Sequence, residues 1–351
     1  MKILQVNTEK GWRGGERQTL ITMEALRELG IEVALIAKID EPLFKKATGL
    51  GFEVIGIKNS FDTFVKLSSM ENKFDCIHAQ SGKSHTETVF TKFLHRTPLV
   101  YSRRVDFSPK GYFTKLKYRH TDMVVSISNA ISRILDESKI YHQSPVIYSA
   151  LKTSIHAPNS RDEFLTSLGI DSEVEIIGVV AALEEHKDPL VAVNTLNEIT
   201  KERKNVILLH FGVGSMHNRV LDHIKANNLQ NSYLLMGYKD NVEEFFPLMD
   251  VFLMTSKMEG MGSSVIDAFL NQVPVVSTNA GGLNELIHDR GDLCEVGDHE
   301  CLSKNILDVL NQSEIGSSKK VLNAYGFAKE ELSYLHMGRE YIKIYEQVAK
   351  K

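Results

Sequence analysis

Glu259, Asp267 and the small residues between them carry the clearest chemical signal in this chain. The stretch from Lys257 to Glu285 reads KMEGMGSSVIDAFLNQVPVVSTNAGGLNE. Glu259 stands directly before Gly260-Met261-Gly262-Ser263-Ser264, and Asp267 follows eight positions after it, about two helical turns on. Small residues where a helix begins let free backbone N–H groups approach an anion, usually a phosphate. Two carboxylates on one side of a phosphate-sized nest suit the hydroxyls of a sugar nucleotide, one for the ribose and one for the sugar. The plainer reading is a pair of solvated helix-end acids. The Gly/Ser loop between them and Gly281-Gly282 beyond weigh against it.

The elements that must hold these residues are legible around them. Val251 to Met254 has the length and apolarity of a strand, Val265 to Leu270 a helical pattern, and Pro274 to Ser277 the next strand. Strand, Gly/Ser turn, helix and strand make half of a parallel α/β sheet. The chain opens the same way. A strand over Lys2 to Asn7 leads into a glycine-rich turn, Thr8 to Glu16, a helix from Arg17 to Leu29 and a strand from Ile31 to Ala37. Gly11, Gly14 and Gly15 do not form the Gly-x-Gly-x-x-Gly fingerprint, which disfavours a nicotinamide cofactor. Trp12, the single Trp, can stack on a sugar ring beside Arg13 or cap the fold.

Other candidates end strands. Phe74 to Gln80 is a strand that contains His78, with catalytic and structural readings both open. Ser81-Gly82-Lys83-Ser84 is no phosphate-binding P-loop, because the required upstream glycine is Ile77. The strand from Pro98 runs into Arg103 and Arg104, whose guanidinium groups can bind a phosphate or acid bidentately or simply be solvated. Lys110, Lys115, Lys117, Arg119 and His120 alternate with Tyr112, Phe113 and Leu116, which reads as a basic amphipathic surface able to touch anionic lipid or as a solvated helix face. Asn129 can cap a helix starting at Ala130, and Thr153 to Asp162 reads as a linker. A second domain begins at the strand Glu175 to Ala181, whose turn carries Lys187. The strand Val206 to Phe211 then leads into Gly212, and Tyr233 to Met236 into Gly237-Tyr238-Lys239.

At 351 residues the chain exceeds one ordinary core, so two domains are expected. It has no apolar run of spanning length and no signal-peptide pattern at its start. Three cysteines, Cys76, Cys294 and Cys301, lack metal-ligand spacing and point to a reducing cytosol. Net charge is −4 but uneven: residues 1–150 hold 22 Lys+Arg against 16 Asp+Glu, and the remainder 19 against 29. A basic first half suits an anionic partner or surface, with ordinary surface variation as the alternative.

The stretch from Glu259 resembles the signature of the retaining nucleotide-sugar glycosyltransferases of family 4, of the bacterial cell-surface polysaccharide and lipopolysaccharide type. Glu259 stands at the first acid of that pattern, Met261 where an aromatic is usual, and Asp267 at the second acid, one methylene shorter than the usual Glu. Pro274-Val275-Val276 and Gly281-Gly282-Leu283-Asn284-Glu285 follow the pattern directly. The resemblance implies a GT-B fold: two Rossmann-like βαβ domains facing a central cleft. Residues 1–152 would bind the acceptor, 153–332 the donor, and helix 333–351 would cross back onto the first domain.

By the same resemblance Glu259, Lys187 and Arg104 would be catalytic. Gly14, Gly15, Gly212, Gly237, Tyr238, Lys239, Gly260, Met261, Gly262, Ser263, Ser264 and Asp267 would hold the donor. Trp12, Arg13, His78 and Arg103 would face the acceptor. Ala182 stands where the family keeps an Arg, and Gln80 and Ser149-Ala150 also depart from its pattern. The implied activity is transfer of a sugar from a UDP-linked donor to a glycan or glycolipid of the cell envelope. No cofactor, metal ion or nucleic acid is expected, and the setting would be cytoplasmic, with a peripheral contact at the inner membrane face through the first domain. A nucleotide-sugar epimerase of the same fold and a catalytically impaired binding subunit remain as alternatives.

Overall fold

Each short apolar run of the first half becomes a strand of one parallel sheet. β1 (Lys2–Asn7), β2 (Glu32–Lys38), β3 (Glu53–Ile57), β4 (Cys76–Ala79), β5 (Leu99–Arg103) and β6 (Met123–Ser126) pair in the order β3-β2-β1-β4-β5-β6. The structure, a computed structural model, describes residues 1–152, 160–312 and 318–350. β5 is buried along its whole length, because helices cover both faces of a parallel sheet. On one face lie α1 (Gly14–Glu28) and α2 (Pro42–Gly49), on the other α3 (Ser60–Ser68), α4 (Gly82–His95) and α5 (Tyr112–Arg119). Right-handed crossovers in a sheet of this order impose that division. α6 (Asn129–Ser138) follows β6.

The second half repeats the plan. β7 (Glu175–Val180), β8 (Val206–Phe211), β9 (Tyr233–Gly237), β10 (Val251–Met254), β11 (Val275–Thr278) and β12 (Asp292–Cys294) pair as β12-β11-β10-β7-β8-β9. Its helices are α7 (Arg161–Ser167), α8 (Pro189–Glu202), α9 (His217–Ala226), α10 (Ser263–Leu270), α11 (Leu283–Ile287), α12 (His299–Leu310) and α13 (Lys319–Glu330). The chain therefore divides into two compact units, 1–152 with 331–351, and 153–330. In each sheet the chain starts at an inner strand, works outward, then returns to the other side. β1 and β4, and likewise β7 and β10, flank a switch point where successive connections leave in opposite directions, the place where open α/β sheets bind ligands.

The last helix, α14 (Tyr334–Ala349), packs on α1 in the first unit. Gly338 makes that contact close, since a Cβ there would lie 2.9 Å from Leu29 Cδ1 and 3.0 Å from Ala25 Cβ. Tyr345 reaches the sheet, where its hydroxyl meets His78 Nδ1 at 2.7 Å and Gln5 Nε2 at 3.3 Å. Tyr341 bonds Ser102 Oγ at 2.7 Å, and Ser102 meets His78 Nε2 at 2.8 Å. Burial holds the His78 imidazole well below its usual pKa, so it is neutral, with one ring nitrogen to donate and one to accept.

Several local expectations are corrected. α1 starts at Gly14, three residues early, because Glu16 accepts the backbone N–H of Arg13 and so satisfies the N-cap amide. Ser128 rather than Asn129 caps α6, its Oγ accepting the Ile131 N–H. Val146 makes an isolated bridge to Ser126, and Ala150 is held by a two-way bond to the Gln18 amide. Of the linker Thr153 to Asp162, residues 153–159 lie outside the described residues, and Arg161-Asp162 already begin α7. Cys294 and Cys301 are disulfide-bonded across the end of β12 and the start of α12, contrary to the expectation of reduced thiols, so cysteine usage no longer argues for a compartment.

The Tyr345 hydroxyl is the link whose removal tests this seating of α14. Tyr345→Phe takes the hydroxyl from the buried Gln5 Nε2 and leaves His78 Nδ1 with the Gln80 amide at 3.2 Å, at about 1–2 kcal/mol, and lowers the melting temperature by about 2–8 °C. Tyr334→Phe, which removes only an exposed bond to Glu28, stays within about 2 °C of wild type in the same thermal scan.

Candidate functional site

The second unit assembles its candidate residues at the carboxyl ends of its strands. The loop after β7 runs from Ala181 through a single 3-10 turn, Glu185–Lys187, to Asp188. The loop after β10 runs from Thr255 to Gly262. These are the loops on either side of the switch point, and they are tied together along their backbones. Lys257 N–H donates to the His186 carbonyl at 2.8 Å, and Thr255 Oγ1 donates to the Lys187 carbonyl at 2.9 Å. Across this seam Lys187 Nζ and the Glu259 carboxylate form an ion pair between residues 72 positions apart. Only 19% and 14% of the two side chains is exposed, so neither charge is left to water alone. Lys257 makes a second, more exposed set of pairs with Glu185 at 3.0 Å and Asp188 at 3.2 Å.

Beside the pair stands the N-terminus of α10. Gly262 is its N-cap, and no side chain caps the helix, so the first-turn amides at Ser263 and Ser264 keep the free N–H character that attracts an anion. The loop is held down from the other side by Gly281-Gly282. Gly282 N–H donates to the Glu259 carbonyl at 2.9 Å, and a Cβ at residue 282 would fall 2.2 Å from the Gly260 carbonyl oxygen. Only glycine permits that approach. Gly212 does the same for the β7 loop, where a Cβ would lie 2.0 Å from the Ala181 carbonyl oxygen. Gly212 N–H also donates to Gly237 at 2.9 Å, tying the β8 and β9 ends together. Below them His210 bonds Tyr233 and the Ala181 carbonyl, and burial lowers its pKa to about 4, so it supports the loop as a neutral ring.

The structure thus gathers Lys187, Glu259, Gly260, Gly262, Ser263, Ser264 and Gly212 around one switch point. Met261 is buried at 3% exposure. Asp267 is also buried, on the second turn of α10. Tyr238 and Lys239 are exposed beyond β9, with the Tyr238 hydroxyl 3.4 Å from Asp240.

In the first unit the candidates separate. Gly14 and Gly15 form the first turn of α1, with Arg13 exposed at its N-cap. Trp12 packs against the small core under α2, with Lys46 Nζ 4.9 Å from its ring centre, which favours the capping role. Arg104 lies by the end of β5 and donates to Gln80 Oε1 at 2.6 Å and to Ser149 Oγ at 3.3 Å, both neutral. Two acceptor candidates are withdrawn into the fold. His78 is wholly buried in the network under α14, and Arg103 is 2% exposed, with its guanidinium on the Tyr118 hydroxyl and the Phe107 carbonyl. Both belong to strands covered on two faces, which hides even polar side chains. The sequence reading missed Gln5, Gln80, Ser102, Tyr341 and Tyr345 as one network. The polar ends of β1, β4 and β5 and the two tyrosines four apart were its only signal.

Known proteins resemble this chain in sequence and in fold. Residues 160–327 match the family model described as Glycosyl transferases group 1. The chain is 24% identical over 198 residues to N-acetyl-alpha-D-glucosaminyl L-malate synthase of Bacillus anthracis, covering 56% of this chain and 52% of that protein. It thus spans about half the length of that relative. It is 23% identical over 369 residues to the UDP-Gal:alpha-D-GlcNAc-diphosphoundecaprenol alpha-1,3-galactosyltransferase of Escherichia coli, covering 94% of each. Among solved structures, Anabaena HepE with UDP and glucose superposes with a TM-score of 0.85 at 18% identity, over 99% of this chain and 100% of that one. The two Rossmann-like units therefore make this a GT-B fold, and residues 160–327 are similar to the glycosyl transferases group 1 family.

Proposed function

We propose that this protein is a retaining glycosyltransferase that moves a sugar from a UDP-linked donor to a glycan or glycolipid acceptor in bacterial cell-envelope synthesis, in the cytoplasm and without a metal ion. The observation that carries this reading is the Lys187–Glu259 pair set across a switch point beside the uncapped start of α10. Paired in this way, the two charges neutralise one another. An incoming diphosphate replaces Glu259 as the partner of Lys187 and accepts from the Ser263 and Ser264 amides. Glu259, released, accepts hydroxyl protons of the donor sugar. Charge that develops on the leaving diphosphate is then met by Lys187 and the α10 terminus, groups already in place before the bond breaks. No enzymatic nucleophile is needed if the departing phosphate takes the acceptor proton on the same face. Asp267 takes the ribose. Arg104 serves an anionic group of the acceptor.

The named chemistry of the Escherichia coli relative, a UDP-sugar donor and a lipid-diphosphate-linked acceptor, supports the donor and acceptor classes, and so does the UDP in HepE. The bacterial glycan setting rests on those relatives alone. No helix among the described residues is long and apolar enough to cross a membrane.

Incubation with a panel of nucleotide sugars tests the activity: sugar transfer that requires an acceptor, keeps the anomeric configuration by NMR and survives EDTA is the expected result. Donor epimerisation without acceptor, or thermal stabilisation without turnover, would overturn it. Lys187→Ala lowers turnover about 100-fold or more, as expected for a preorganised electrostatic group, and a loss under threefold removes Lys187 from the site. Glu259→Gln lowers turnover while UDP affinity by calorimetry stays within about threefold. Asp267→Ala weakens UDP at least tenfold, about 1.4 kcal/mol. An unchanged UDP affinity with a lowered melting temperature would make Asp267 structural.

A further inference from the structure

The α3–α4–α5 face of the first unit is apolar where it meets water. Phe61 is 73% exposed, Phe93 70%, and Tyr112 and Phe113 76% each, with Phe90 and Phe107 above 60%. All but Phe107, which lies between β5 and α5, come from three helices in a row on one face of the sheet. α3 packs on α4, and α5 is joined to α4 by Lys117 Nζ donating to Thr86 Oγ1 at 2.8 Å and Lys92 Nζ donating to the His120 carbonyl at 2.9 Å. Between α3 and α4 runs a groove of about 580 Å³ walled by Phe64, Phe90 and Phe93. Glu87, the acid on its lining, is turned to the Thr8 hydroxyl at 2.7 Å. Scattered single apolar residues on a surface need no explanation, but a contiguous aromatic patch marks an interaction site.

Charge identifies the partner. Residues 58–120, which contain all three helices, hold 12 Lys+Arg against 5 Asp+Glu, a surplus of 7 positive charges in a chain whose net charge is −4. Lys66, Lys83, Lys110, Lys115 and Arg119 are exposed around the aromatic side chains. Two copies meeting through this face would press like charges together, which argues against a dimer. An anionic bilayer satisfies both features at once: aromatic rings enter the headgroup and acyl boundary, and each Lys or Arg near the surface adds attraction to the anionic headgroups.

We propose that the α3–α4–α5 face is a docking surface for anionic lipid membrane, with the α3–α4 groove receiving an acyl or prenyl chain. This enlarges the basic stretch 110–120 seen in the sequence to three helices, while Lys117 drops out because its ammonium is spent on Thr86. The proposal stands apart from the transferase reading, since binding is measured without turnover.

The test is co-sedimentation of the full chain with vesicles of phosphatidylcholine alone or with phosphatidylglycerol added. Wild type partitions to the anionic vesicles at least tenfold better and is released by high salt. Phe93→Ser with Phe113→Ser lowers that partition at least tenfold, while melting temperature and transfer to a soluble acceptor stay at wild-type values. Lys110→Glu with Lys115→Glu lowers it by a similar factor. Equal partition to both vesicle types, unchanged partition in the aromatic variant, or a dimer in sedimentation that this variant abolishes would each overturn the proposal.

Discussion

The site of the second unit depends on one constraint: loops that leave the sheet in opposite directions must still meet. β7 and β10 are neighbours in the sheet but 71 residues apart at Val180 and Val251 in the chain. Their loops diverge, and the gap that results would fill with water unless something bridged it. The bridge is partly backbone, through the His186 and Lys187 carbonyls, and partly charge, through Lys187 and Glu259. Glycines at 212 and 282 let the flanking loops lie close enough to brace it. Such an arrangement positions a cation, a carboxylate and a helix terminus with little freedom to move, and preorganisation of that kind is what electrostatic stabilisation of a leaving group requires.

The first unit uses the same sheet differently. Its switch point, between β1 and β4, is backed by a buried polar network that α14 completes. Tyr345 meets His78 and Gln5, and Tyr341 meets Ser102, so the last helix of the chain is bonded to a sheet made by its first residues. Arg104 stands at the edge of this network, and its guanidinium is held by Gln80 and Ser149 without a carboxylate at ion-pair distance among the described residues. A charge positioned by neutral partners can accept an anion from outside with little rearrangement.

Much of this was legible in the sequence because the signals were local. Strand and helix alternation follows from apolar periodicity, and the Glu259-to-Glu285 stretch reports its own turn, helix and strand. The rest depended on tertiary placement. His78 and Arg103 read as site residues because strand-end polar side chains often face a ligand. Nothing local says that a sheet covered on both faces encloses them. Phe61, Phe90 and Phe93 fall at helical spacings that fit a core-facing stripe equally well, so their exposure emerges only once α3 and α4 are seated. The disulfide between Cys294 and Cys301 needed the end of β12 and the start of α12 brought side by side.

A crystal structure of the protein with UDP shows whether Lys187 exchanges Glu259 for the diphosphate. Exchange puts the β-phosphate within about 3.2 Å of Lys187 Nζ and of the Ser263 and Ser264 amides, with the Glu259 carboxylate released from the lysine. UDP bound with its phosphates elsewhere, or a Lys187–Glu259 pair still closed at full occupancy of the nucleotide, would contradict it.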